Sequence, residues 1–373
     1  MLVVHRDSQA YLAGTLCQKR ATLRVLCTPH NCYNRSTMAE SEKKQERKPE
    51  LPLLITGVAG VAGYNAFAYF REKYPGQVIG IRQEDNWRLS RTGIESCNAE
   101  NRDGLARLFD RYQFGSVLNC AGNCALRACE LDSRLAWRTN VEGLTALLSI
   151  VSETSVRVVH ASIDLVFSGR EEGGYREHEA TDPVSVYGKT MVAAERLLLD
   201  WHPEACTLRI SLPMGVSFNG HAGAIDWIQS RFQKSRPATL YFDEVRTPTY
   251  TDCLNRVFNS VLASRLSGVY HAGGPRRLSL FEIAQIVNRV GGYDPQLLMG
   301  CPRIDAGPVP PRAGNVALDS AALARALGRQ LFDPWPLDDT WVPTGGQWHF
   351  EEQRGSPDLL SSILYHNPSY QLT

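Results

Sequence analysis

Four clusters of residues have the types and spacing to do chemistry. The first is Thr56-Gly57-Val58-Ala59-Gly60-Val61-Ala62-Gly63. Its glycines permit a tight turn and let backbone N–H groups approach a pyrophosphate, which a following helix start holds with its positive end. The second is Arg82, about twenty positions on. A guanidinium there grips a ribose 2′-phosphate with several donors, which selects NADP(H). Glu84 and Asp85 stand beside it and keep NAD(H) as the alternative, because an acid at this place binds the free 2′-hydroxyl. The third is Asn119-Cys120-Ala121-Gly122-Asn123, whose small side chains let an adenosine lie close to the backbone. The fourth is a pair, Ala161-Ser162-Ile163-Asp164-Leu165 and Pro183-Val184-Ser185-Val186-Tyr187-Gly188-Lys189-Thr190-Met191. A tyrosine hydroxyl can donate a proton, and a serine hydroxyl can polarise a carbonyl oxygen.

These clusters need strand ends and helix starts to place them. The apolar run at 53–55 reads as a buried strand, and 63–73 as the helix that the glycines open. Strands follow at 78–81, 116–119 and 156–160, with helices at 103–112 and 135–151. Strands alternating with helices predict a parallel sheet covered on both faces. Further on the pattern gives a helix at 184–201, a strand at 207–210, a helix at 224–234 and a strand at 268–271. Ser279 and Glu282 form a capping box ahead of a helix at 280–290, and 320–327 is a short helix. Residues 300–315 are rich in Pro and Gly and read as irregular. From residue 331 the chain carries Trp335, Trp341 and Trp348 with few helical signals. Two readings of this tail stay open: a strap on the surface, or a segment without structure.

The 373 residues are 43% apolar and 21% charged, ordinary for a globular chain and wrong for a disordered one. Forty Lys and Arg balance 39 Asp and Glu, so no global field argues for nucleic acid. No run approaches the roughly 18 apolar residues of a membrane helix. The charge is unevenly placed. Residues 1–37 hold Arg6, Lys19, Arg20, Arg24 and Arg35 against Asp7 alone, which leaves the body slightly acidic. This leader reads as a targeting segment, as an unstructured extension, or as the product of an upstream start with Met38 as the first residue. Residues 39–50 are nearly all polar and read as a solvated linker. The ten cysteines contain no C-x-x-C, and Cys120, Cys124 and Cys129 lack a His at zinc spacing. No metal site is expected, and free thiols point to the reducing cytoplasm.

Taken together, the glycine octet and the Ser162–Tyr187 pair resemble an extended short-chain dehydrogenase/reductase. The chain is most similar to the dTDP-4-dehydrorhamnose reductase family, which includes the beta subunit of methionine adenosyltransferase. Further pieces match it: Asn140-Val141-Glu142-Gly143, Leu208-Arg209-Ile210-Ser211, Arg246-Thr247-Pro248-Thr249-Tyr250, Gly268-Val269-Tyr270-His271 and Asn315-Val316-Ala317-Leu318-Asp319. The resemblance spans roughly 51–328. It implies an α/β fold, a doubly wound parallel Rossmann sheet at 51–210 with a smaller C-terminal substrate-binding lobe at 211–328. The basic extension and linker at 1–50 and the Trp-rich tail at 329–373 fall outside it. The resemblance also implies NADP(H) held by Gly57, Gly60, Val61, Ala62, Gly63, Arg82, Ala121, Gly122, Asn140 and Tyr187. A nucleotide-sugar substrate would touch Asn123 and Arg246, with Tyr187 and Ser162 as the catalytic pair.

The resemblance is incomplete where the chemistry sits. The family uses a Tyr, a Lys four residues later and a Ser or Thr hydroxyl. Tyr187 matches, but Met191 stands at the Lys position and Ile163 at the hydroxyl position, with Ser162 one residue early. Lys189 is two residues from Tyr187, and so on the far side of a helix. Ser162 helps only if the chain turns there, because neighbours on a strand face opposite ways. Two functions are consistent with this pattern. One is an NADPH-dependent reductase of a 4-keto-6-deoxy nucleotide sugar, dTDP-4-dehydrorhamnose to dTDP-L-rhamnose. The other is an NADP-binding homologue that has lost catalysis and serves as a regulatory or binding subunit. The expected partners are the nucleotide sugar and a second copy of the chain, or a partner enzyme if the site is inactive. An epimerase is disfavoured, since it needs the tyrosine as a base.

Overall fold

The computed structural model describes residues 47–351 and 355–370. The leader at 1–37, with its targeting reading, lies outside the described residues. Strands β1 (Leu53–Thr56), β2 (Val78–Arg82), β3 (Ile94–Ser96), β4 (Ser116–Asn119), β5 (Arg157–Ile163) and β6 (Cys206–Ile210) alternate with helices α1 (Val61–Lys73), α2 (Arg102–Tyr112), α3 (Leu126–Leu131), α4 (Ser133–Trp137), α5 (Gly143–Val151) and α6 (Val186–Trp201). Then come β7 (Pro213–Met214), α7 (Asp226–Gln233), β8 (Ala238–Tyr241), β9 (Val245–Arg246), β10 (Thr249–Tyr250) and α8 (Thr251–Leu262). Last are β11 (Gly268–Ala272), β12 (Leu278–Ser279), α9 (Leu280–Val290), β13 (Leu298–Cys301) and α10 (Ala321–Leu327).

Among the described residues a seven-stranded parallel sheet runs β11-β6-β5-β4-β1-β2-β3. The order reverses between β1 and β4, and ligands of open α/β sheets bind beyond the strand ends at such a switch. Successive residues of β1, β4 and β5 serve opposite cores. Leu53, Ile55, Leu118 and Val159 pack with Phe67 and Phe70 of α1 and Leu254 and Phe258 of α8. Leu54, Val117 and Val158 pack with Leu105 of α2, Leu144 and Leu148 of α5 and Leu198 of α6. Burial on both faces explains why these strands read as continuous apolar runs.

The structure revises four expectations. The helix expected at 135–151 is broken: α4 and α5 flank a π-helical turn at Arg138–Glu142. The boundary at 210 does not hold, because β11 pairs with β6 and so completes the main sheet from the far side of the supposed lobe. The region 300–315 is not wholly irregular, since β13 extends into it and pairs in parallel with β8. The described part of the tail is anchored in the core. Trp335 is fully buried and donates its indole N–H to the Leu364 carbonyl at 2.8 Å, and Leu360 and Leu364 join the core beside α8. No described helix is long and apolar enough to cross a membrane. The described cysteines are free.

Candidate functional site

The glycine octet forms the turn from β1 into α1. Gly57 has φ +66°, and a Cβ there would lie 2.3 Å from the Cys120 carbonyl oxygen, so the turn presses against the loop after β4. A Cβ on Gly63 would lie 2.4 Å from the Gly57 oxygen. Gly60 is different: its Cβ would meet only the Gly57 oxygen, at 3.5 Å. It caps α1 without a side-chain hydrogen bond. The N–H groups of Val61, Ala62 and Gly63 form the first turn of α1, where a helix offers no carbonyl partner. A glycine-lined cradle at a helix start suits a pyrophosphate.

Beneath the turn, a polar chain crosses the switch point. The Thr56 hydroxyl donates to Asn119 Oδ1 at 2.5 Å and accepts the Ala121 N–H at 3.1 Å. Asn119 Nδ2 reaches His160 Nδ1 at 2.9 Å. Burial pulls the His160 pKa down to about 4, so the ring is neutral. Arg82 ends β2 with its guanidinium partly committed: Nε donates to the Leu89 carbonyl at 2.8 Å, and Nη1 to those of Gln83 and Glu84 and to the Ser96 hydroxyl. It thereby shapes the loop after β2. Arg91, which no local sequence pattern marks, lies 5.6 Å from the ring of Tyr64 in α1, and adds a second cation beside the turn.

Tyr187 starts α6, which Ser185 caps by accepting the Gly188 N–H at 3.1 Å. A Cβ on Gly188 would lie 2.2 Å from the Leu165 carbonyl oxygen, so this glycine lets the helix touch the turn that holds Asp164. Tyr187 is 7% exposed. Its hydroxyl makes no hydrogen bond to another described residue. Burial, with the Cys124 thiol and the Asp164 carboxylate, pushes its pKa well above the ordinary value, against the opposing charge of Arg246. The phenol is thus held protonated. Cys124 stands in the loop before α3, 63 positions from Tyr187, and no spacing in the sequence links the two. Met191 is buried in the same cluster as Tyr187, and Lys189 is exposed on the outer side of α6, where it lines a cavity of about 790 Å³ with Trp137 and Arg138.

Three expected roles change. Ser162 does not serve Tyr187: its buried hydroxyl donates to Glu195 Oε1 at 2.5 Å, and Glu195 pairs with Arg209 at 2.7 Å. The chain does not turn early enough to redirect it, since β5 runs on to Ile163. Arg246 is not free for a substrate. It is 4% exposed, donates Nε to Asp164 Oδ2 at 2.6 Å and Nη2 to Oδ1, and lies 3.8 Å from Glu244. Burial opposes its charge, but these two carboxylates outweigh that and raise its pKa. Asn140 is 2% exposed, and each end of its amide has a partner within the protein. Oδ1 accepts the Asn123 N–H at 2.7 Å, and Nδ2 donates to Thr190 Oγ1 at 2.8 Å. It fixes the loop containing Ala121, Gly122 and Asn123 to α6. Asn123 spends its own Oδ1 on the Ala125 N–H. Among the described residues no group of three His, Cys, Asp or Glu could hold a metal.

Comparison with known proteins bears on the family and the fold. Residues 52–336 fit the RmlD substrate binding domain model. The dTDP-4-dehydrorhamnose reductase of Aggregatibacter actinomycetemcomitans is 24% identical over 75% of this chain and 95% of its own. Methionine adenosyltransferase 2 subunit beta of Xenopus laevis is 25% identical over 63% of this chain and 71% of its own. The fold is shared with a dTDP-4-dehydrorhamnose reductase from Bacillus anthracis solved with NADP, at a TM-score of 0.67, 18% identity, and coverage of 76% of this chain and 95% of that one. With the family model covering the whole seven-stranded sheet and the chain as far as Pro336, the protein belongs to the RmlD substrate binding domain family.

Proposed function

We propose that the protein is a cytoplasmic NADP(H)-dependent reductase of a 4-keto-6-deoxy nucleotide sugar, of the dTDP-4-dehydrorhamnose to dTDP-L-rhamnose type. The observation that carries this reading is Tyr187: a buried phenol with no hydrogen-bond partner among the described residues, at the start of α6 beside the turn that holds Asp164. The relatives named as dTDP-4-dehydrorhamnose reductases and the Bacillus anthracis complex with NADP support the substrate and cofactor.

When bound, NADPH supplies the hydride that reduces the keto carbon. The N–H groups of Val61, Ala62 and Gly63 would hold the pyrophosphate, and Gly57 and Gly60 would let it approach. Arg82, with the donors its loop leaves free, and Arg91 would take the ribose 2′-phosphate. Ala121 and Gly122 would back the adenosine. Tyr187 gives its proton to the carbonyl oxygen as the alcohol forms, and the phenolate regains a proton from solvent. A raised pKa keeps the phenol protonated but weakens it as an acid, and it opposes the reverse direction still more, which needs a phenolate base.

A second reading, a binding subunit without turnover, is favoured by a specific observation. Met191 is buried where the family places a cation, and Ser162 is committed to Glu195. The similarity to methionine adenosyltransferase 2 subunit beta gives it a precedent. Fluorescence titration with NADPH and NADH, then NMR of products from dTDP-4-dehydrorhamnose, separates the readings. Tighter binding of NADPH with formation of the alcohol supports the reductase. Binding without product moves the assignment to the second reading, and binding of neither nucleotide removes both.

A further inference from the structure

Beyond residue 336 the chain leaves the region matched by the family, and there it meets α7. The Tyr365 hydroxyl lies 2.9 Å from Asp226 Oδ1 and 3.1 Å from Gln229 Oε1. Asp226 begins α7 and is 5% exposed. Its other oxygen accepts the Ser217 hydroxyl at 2.5 Å and the Gly223 N–H at 2.8 Å. One buried carboxylate therefore clamps both ends of the 217–223 loop. The residue just before this loop meets α1. Asn65 Nδ2 donates to the Val216 carbonyl at 2.8 Å and to the Val61 carbonyl at 2.8 Å, in the first turn of the helix. Burial and the Asp226 carboxylate raise the Tyr365 pKa, which keeps the hydroxyl a donor.

We propose that Tyr365 is a positioning residue: through Asp226 it fixes the 217–223 loop against the start of α1, so that the C-terminal segment sets the affinity for the dinucleotide. This rests on the reading that the 57–63 turn holds NADP(H). Losing one such hydroxyl changes binding by about 3- to 10-fold.

The test compares Tyr365→Phe with Tyr370→Phe, which removes a hydroxyl from the same segment near Cys253. Three readouts are the Kd for NADPH, the Tm without ligand, and amide hydrogen exchange across 217–223. The expected result is a Kd raised about 3- to 10-fold and faster exchange in the loop for Tyr365→Phe alone, with both variants equal in Tm. An unchanged Kd and unchanged exchange for Tyr365→Phe would overturn the proposal. So would a weakening shared by both variants in step with Tm. If the parent protein binds no NADPH, the dinucleotide reading fails, and loop exchange still decides whether Tyr365 fixes the loop.

Discussion

Arg246 and Asp164 form a two-pronged ion pair shut off from solvent, with Nε 2.6 Å from Oδ2. Asp164 follows β5 and Arg246 ends β9, so the pair joins the strand end beside Tyr187 to the chain beyond β6. Ser211 adds its hydroxyl to the same carboxylate. Removing one partner leaves a buried charge uncompensated, which costs about 3–5 kcal/mol. Arg246→Met is expected to lose stability of that order in urea unfolding. Arg246→Met with Asp164→Leu is expected to recover most of it. A single variant with parental stability and only a raised KM would restore Arg246 as a substrate ligand.

The glycines of the turn should divide by role. Gly57→Ala places a side chain at positive φ and against the Cys120 carbonyl, and is expected to cost about 1–3 kcal/mol. Gly60→Ala meets no close atom and should cost under about 1 kcal/mol, while weakening NADPH about tenfold or more because it fills the approach to the helix amides. Thermal unfolding and nucleotide titration of the two variants check this. Equal losses in both measurements would show that Gly60 is only a structural turn residue.

His160 sets an acid limit on the fold. Its pKa falls from about 6.5 unfolded to about 4 folded, through burial. A lowered pKa contributes stability that is full above the unfolded value and lost as pH falls through the folded one. About 3 kcal/mol should therefore disappear between pH 6.5 and 4. His160→Gln is expected to flatten this part of the curve in urea titrations. A parental slope in the variant would assign the acid loss to other groups.

Whether a feature is legible in the sequence depends on whether its signal is local. The β1 turn, the capping box at Ser279 and the strand at Ser116–Asn119 follow from spacing within a few residues. The edge strand β11 is recognisable as a strand, but its place in the main sheet depends on pairing with β6, which no local pattern carries. Arg246 and Ser162 resemble ligands in the sequence because their types suit ligands. Their partners Asp164 and Glu195 lie 82 and 33 positions away. The π turn at Arg138–Glu142 hides inside a good helical pattern. Its purpose, aiming Asn140 at Asn123 and Thr190, is visible only in three dimensions. The tail lacks periodicity because it packs through separate anchors such as Trp335 and Leu364.

Met191 and Ile163 are expected to limit the rate. Met191→Lys with Ile163→Thr should raise turnover on the order of 10²-fold, by supplying a cation beside Tyr187 and a hydroxyl to the carbonyl oxygen. Single-turnover oxidation of NADPH measures this. An unchanged rate in a folded double variant would mean that these two positions do not disable the site.

The most direct test of Tyr187 as the proton donor is stopped-flow oxidation of NADPH by excess protein mixed with dTDP-4-dehydrorhamnose, for the parent and Tyr187→Phe. Slow turnover is expected in the parent, level up to about pH 10, since the raised pKa keeps Tyr187 protonated. A fall of about 10²–10⁴ is expected in Tyr187→Phe with NADPH binding intact. NADPH bound but not oxidised by the parent, or oxidised as fast by Tyr187→Phe, would contradict this role.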